Sequence, residues 1–176
     1  DLVLTGVASL TRLGGVGEGE SLIEAALLVD RTAIAAQAVG VAASAFRDTL
    51  RNVSTRETFG APLERNGTVQ AQVADMAAEL DGGRLLWWQA AAALDKGAPA
   101  RDLTAMAKLH AARAARMVTD GCLQLLGGAG CFDDPTAARR AGDARLASIR
   151  GGPDELMRAL AAREFLYRLK VMGVIT

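Results

Sequence analysis

Histidine, cysteine and net charge are nearly missing from this 176-residue chain, and each scarcity excludes something. His110 is the only histidine, which removes His-rich metal sites and leaves a Ser-His-Asp triad unsupported. Without an evident partner it reads as a partly exposed helix residue. The two cysteines, Cys122 and Cys131, lack a metal-ligand spacing. Cys122 is expected in the core, and no disulfide between the two is expected. Twenty basic side chains cancel twenty acidic ones, so nothing electrostatic favours nucleic acid or an anionic membrane. Arg139 and Arg140 form a local basic pair of the kind that ends a solvated helix. No run of about 18 uncharged apolar residues occurs, so no membrane-spanning helix is expected.

What is present is apolar and aliphatic. Hydrophobic residues make up 51% of the chain and aromatics only 4%, with alanine and leucine dominant. That composition suits helices packed closely along small side chains. The length is that of one domain with a real core. The mean hydropathy of +0.18 is high for a soluble protein and points to burial against partner subunits, a dimer or tetramer. The chain has no signal peptide and no initiator methionine, and opens at Asp1 in a strand-like run. A piece of something longer, located in the cytoplasm, is expected.

Residues 1–19 read differently from the rest. Leu2, Leu4 and Val7 with Thr5 and Ser9 suggest a strand, and Gly14, Gly15, Gly17 and Gly19 a flexible turn. The order of these glycines does not match a phosphate-binding fingerprint. A long helix is predicted from Glu20 to about Arg51. Ile23, Leu27, Asp30, Ile34, Ala38, Val41 and Ala45 recur at spacings of three and four, one helical face. Asp30 is the anomaly on that stripe, because a carboxylate on an apolar face is costly unless paired or functional. The other reading is that the helix is apolar nearly all round and the stripe has no meaning.

A polar connection from Arg51 to Gly67 contains Gly60, Pro62 and Asn66. A second helix is predicted from Thr68 to Lys96, ended by Gly97 and Pro99. Val69, Val73, Met76, Leu80, Gly83, Trp87, Ala90 and Leu94 keep a seven-residue repeat along it, implying close and nearly parallel packing. Gly82 and Gly83 in mid-helix cost stability unless another backbone approaches there. A third helix runs from Arg101 to Leu126, with Met106, Leu109, Met117 and Leu125 inward, and Gly127, Gly128 and Gly130 terminate it. A loop with Asp133, Asp134 and Pro135 follows. The last helix begins near Pro153, places Leu156, Leu160 and Leu169 toward the core, and ends near Gly173. The fold class is all-α: an antiparallel four-helix bundle over residues 20–176, preceded by a short strand-like segment over 1–19.

Several segments, in order, resemble the C-terminal domain of acyl-CoA dehydrogenases. Arg56-Glu57-Thr58-Phe59-Gly60 looks like that family's R-x-x-F-G motif, and Val73-Ala74-Asp75-Met76 like its L-A-D-M. Ala107-Lys108-Leu109 matches an A-K pair on the third helix. Residues Gln124 to Gly130 resemble Q-L-L-G-G-x-G-Y, with Cys131 in place of the tyrosine. Asp143-Ala144-Arg145, Ile149 and Gly152 resemble R-D-A-x-x-x-x-I-x-E-G-T. Residues 1–19 are similar to the end of the family's middle β domain and its linker.

The resemblance implies a flavin enzyme that desaturates an acyl-CoA thioester at its α and β carbons. It implies FAD lying between subunits of a homo- or hetero-oligomer, with an electron-transfer flavoprotein as acceptor. Arg56 would meet the FAD pyrophosphate, since a guanidinium matches phosphate oxygens in pairs. Thr58, Phe59, Gln124, Gly127 and Gly128 would contact the cofactor. The family's usual catalytic base, the glutamate of E-G-T, is replaced here by Gly151. Some branches instead place a glutamate on the first long helix, just before an arginine, and the matching residues are Asp30 and Arg31. Asp30 is therefore the expected general base, and Arg31 the residue that orients or balances charge at the substrate site. Gly67 replaces a flavin-contacting glutamine, and Pro153 and Glu155 replace polar residues near the cofactor. These departures keep a second expectation open: a catalytically silent partner subunit of a mixed assembly.

Overall fold

The structure, a computed structural model, describes residues 3, 5–98, 100–132 and 135–174. It contains α1 (Gly19–Thr55), a hairpin of β1 (Glu57–Thr58) and β2 (Ala61–Pro62), and a 3-10 turn (Leu63–Arg65). Then come α2 (Gly67–Asp95), α3 (Arg101–Leu126), the short α4 (Gly128–Phe132), α5 (Pro135–Ala147) and α6 (Asp154–Val171).

Local chemistry sets the helix ends. α1 stops where Arg56 turns extended, its N–H capping the Asn52 carbonyl at 2.8 Å. α2 starts because the Asn66 side chain accepts the Thr68 N–H at 2.9 Å, supplying one of the donors a helix start leaves unpaired. α3 ends at Gly127, whose φ of 62° only glycine adopts at little cost.

The third helix is the hub, packing against α1, α2, α5 and α6. Its buried face is dominated by small residues, Ala105, Ala107, Ala111, Ala112, Ala114 and Ala115, with Lys108 and Val118 among the larger exceptions. Small residues let helix axes approach closely, and the mid-helix glycines of α2 answer them. A Cβ on Gly83 would stand 3.5 Å from the Ala111 Cα, and one on Gly82 would strike His110 Nε2 at 2.9 Å. Between these helices, Val69, Met76, Leu80 and Ala90 are buried and Val73 and Trp87 are packed alongside, as the seven-residue repeat requires. A fully buried side chain such as Met76 or Ile34 contributes about 1.5–3 kcal/mol. α6 forms its own small cluster against α3 through Met157, Leu160 and Ala161.

Several expectations need correction. The described residues of the opening run, Thr5 to Leu13, form no strand, because a strand needs a paired edge and the two strands found pair with each other. Asp1, Leu2, Leu4, Pro99, Asp133 and Asp134 lie outside the described residues. The expected loop after α3 is largely helical: α5 lays the buried Ala137 and Ala144 into the groove between α1 and α3. Ile23 and Leu156 are exposed, and Met157 takes the inward place on α6. One 18-residue window of α1 reaches a mean hydropathy of 1.4, so by length and composition that helix could cross a membrane. In this structure it packs on α2, α3 and α5 and carries the buried Arg31 and Thr49.

Candidate active site

Asp30 sits on α1 beside the glycine turn that joins α5 to α6. Gly151 and Gly152 in that turn have φ of 66° and 107°, conformations that side chains resist. A Cβ on Gly151 would meet Ile34 Cδ1 at 2.4 Å and Asp30 Oδ2 at 3.1 Å. Asp30 and position 151 therefore address the same small volume, and Ile34 occupies part of it. The Asp30 carboxylate is about half exposed and faces Arg150, Oδ1 to Nη2 at 3.8 Å. Arg150 also reaches Gln37, Nη1 to Oε1 at 3.5 Å. Ile34, Gln37, Asp143 and Arg150 line a cavity of about 110 Å³ between α1 and the end of α5.

The turn is held from below by Lys108 of α3. Its side chain is wholly buried; Nζ donates to the Gly152 carbonyl at 2.7 Å and pairs with Asp154 Oδ1 at 3.3 Å. Arg116 approaches the other Asp154 oxygen at 3.4 Å. Burial pushes the Lys108 ammonium below the usual lysine range, and the Asp154 carboxylate works against that shift. A buried cation with two oxygen partners fixes the backbone that carries Arg150 and Gly151.

Arg31 does not face Asp30. Successive helical residues diverge by about 100°, and Arg31 is buried against Glu24, Nη1 to Oε1 at 3.5 Å. Glu24 also accepts from Arg101 Nε at 3.0 Å. The cation beside Asp30 is Arg150, which the sequence reading did not single out.

The second cluster lies at the other end of α1. Arg56 donates through Nη1 to the Leu126 carbonyl at 2.8 Å, tying the end of α1 to the end of α3. Arg56, Thr58, Leu63, Gln124, Leu125 and Gly127 line one groove of about 190 Å³. An adjoining depression shares Gln124 and Gly127 and adds Cys131. A Cβ on Gly127 would fill the cradle, standing 3.5 Å from Arg56 Nη1 and 3.8 Å from Nη2. The neighbouring Gly128 is exposed, so the backbone here is bare to a ligand. Phe59 is fully exposed at the tip of the β1–β2 hairpin with φ of 52°. With Gly60 at 81°, it makes a two-residue turn of the primed type. A bulky residue held at positive φ and projected into solvent is backbone strain spent on presenting a ring.

A guanidinium, a hydroxyl, an amide and bare glycine backbone around one groove fit an anionic cofactor with a phosphate linkage. Gly67 opens α2 with nothing near its missing side chain, and the exposed Glu155 pairs with Arg158 at 3.6 Å. Sequence reasoning thus located this cluster, and half of the first one. It missed Arg150, it named Ile34 only as part of an apolar stripe, and it saw Lys108 only as a motif match.

Asp30 and Arg56 are 26 residues apart along α1 and its cap, about 39 Å at the helical rise. No single ligand group can touch both within one chain.

Known proteins match this chain in sequence and fold. Residues 17–166 match the family description "Acyl-CoA dehydrogenase, C-terminal domain". The short-chain specific acyl-CoA dehydrogenase of Bos taurus is 38% identical over 154 residues, which is 88% of this chain and 37% of that protein. The solved butyryl-CoA dehydrogenase of Megasphaera elsdenii superposes with a TM-score of 0.85 at 30% identity, covering 87% of this chain and 40% of that one. A structure described as the electron transferring flavoprotein of Acidaminococcus fermentans gives 0.85 at 33% identity, with the same coverages. The chain spans about two fifths of the length of these relatives.

Proposed function

This chain belongs to the acyl-CoA dehydrogenase family, through its C-terminal domain, and we propose that the protein carrying it desaturates an acyl-CoA thioester with FAD. Residues 20–176 are the bundle domain and residues 1–19 the tail of a β domain with its linker. The observation that carries the reading is the distance between the two clusters on α1. On this reading a base at Asp30 and a pyrophosphate partner at Arg56 belong to two different cofactor sites, each completed by a second subunit, and the helix length supports it. The exposed Phe59, the groove at Gln124 and Gly127, and the high apolar content all support that assembly.

Desaturation removes a proton from the α carbon and a hydride from the β carbon, leaving a carbon–carbon double bond. FAD, when bound, supplies the hydride acceptor. Arg56, Thr58, Gln124 and the backbone of Gly127 and Gly128 would hold it, and the exposed Phe59 would offer it a ring. Asp30 takes the α-proton onto its carboxylate. Gly151 leaves Asp30 room to reach the substrate, and Lys108 and Asp154 keep the turn from drifting. The relatives' names point to short acyl chains such as butyryl-CoA, and one solved relative described as an electron transferring flavoprotein supports a partner of that class as acceptor.

The alternative, a silent partner subunit, draws on Gly151, where no side chain fits beside Ile34. The visible spectrum of the purified full-length protein separates the two. A flavin spectrum that bleaches with butyryl-CoA or another short thioester is expected. A protein that stays colourless with added FAD would overturn the enzymatic reading and favour the silent subunit.

A further inference from the structure

We propose that Arg150 is the positioning residue for Asp30, a function that rests on the reading of Asp30 as general base. Asp30 has one methylene fewer than the glutamate that other branches carry, so its aim depends on what surrounds it. Ile34, one turn along the helix, fills the space that a side chain at Gly151 would need beside Asp30, and Arg150 approaches from the turn with its guanidinium shared between Asp30 and Gln37. Arg150 immediately precedes Gly151, so the segment that lost the usual base carries the cation steering the replacement.

The pair is half exposed on both sides and 3.8 Å long. Pairs of that kind contribute at most about 1 kcal/mol to stability. A stabilising role is therefore small, whereas an orienting role is not: a base displaced by about an ångström can lose up to 10²-fold in rate. The other charged groups nearby are consistent with this. Asp143 is the carboxylate that lines the neighbouring cavity together with Arg150, while Arg31 is turned away toward Glu24. Arg150 is the cation that structure places at Asp30 among the described residues. Its second contact, Nη1 to Gln37 Oε1 at 3.5 Å, holds the guanidinium on the side of the turn from which it steers the carboxylate.

The test uses the full-length, FAD-loaded enzyme with butyryl-CoA as probe. Two quantities are read: steady-state kcat and KM, and the exchange of the probe's α-protons with D2O, which reports the base without hydride transfer. Arg150→Gln is expected to lower both kcat and exchange by about tenfold, with KM within twofold and the melting temperature unchanged. Arg150→Lys, which keeps a cation at that place, recovers most of the loss. Arg150→Gln with wild-type kcat and exchange would overturn the proposal, as would a loss confined to KM. Asp30→Asn serves as the control: if it retains exchange, the base reading itself falls, whatever Arg150 does.

Discussion

The two ends of α1 solve different problems with different materials. At the Asp30 end the helix meets a glycine turn, an isoleucine and one loosely held arginine, around a small cavity. At the Arg56 end it meets glycine backbone, an amide and a strained hairpin, around an open groove. The first arrangement limits what can enter and aims a carboxylate. The second offers hydrogen-bond partners to something large and anionic that arrives from outside. One helix thus carries parts of two sites, and its length keeps them independent.

Asp30→Asn separates the ends most sharply. Removing a general base is expected to lower turnover by about 10²–10⁴-fold while FAD affinity stays at the wild-type value, measured by flavin titration. Retained turnover would place the base elsewhere. Arg56→Ala acts on the other end, and FAD affinity is expected to fall roughly 10- to 100-fold, the worth of a charge-assisted pair. At saturating FAD the exchange of α-protons should then recover. Failure to recover would mean that the ends are coupled.

Gly151→Glu, which restores the family's usual base on paper, is expected to gain no turnover. Its side chain collides with Ile34 and its backbone is held at positive φ, costing about 1–3 kcal/mol in denaturation experiments. An increase in turnover would show that Ile34 yields. The smallest effect concerns Lys108. Its folded pKa lies below the unfolded one, so the unfolded chain binds more protons in the alkaline range between the two. Stability from this group therefore rises with pH through that window. Thermal melts of wild type and Lys108→Met should diverge there in favour of wild type, and the comparison cancels the opposite trend from Cys122, whose thiol burial pushes up.

The sequence made some of this legible and hid the rest for physical reasons. Asp30 stood out because a carboxylate on an apolar stripe breaks a pattern. The α2 repeat was readable because Val69, Met76 and Leu80 mark its buried positions with large side chains, and Gly83 because a glycine inside a helix needs a cause, here the Ala111 backbone. α5 was not readable: its inward residues are Ala137 and Ala144, too small to mark a period among so many alanines. Arg150 was hidden because its partner is 120 residues away and meets it only after the turn has been folded. On α6, Leu156 and Met157 are equally apolar, and only the packing on α3 decides that Met157 turns inward.

The most direct test of the two-site account mixes inactive chains. Full-length Asp30→Asn and Arg56→Ala proteins are co-expressed, and turnover is measured at FAD concentrations too low to load the Arg56→Ala protein alone. If each site draws Asp30 from one chain and Arg56 from another, a mixed dimer contains one intact site. Random pairing should then restore about a quarter of wild-type turnover. No recovery above the two separate variants would contradict the account, because it would place both residues of a chain at the same site.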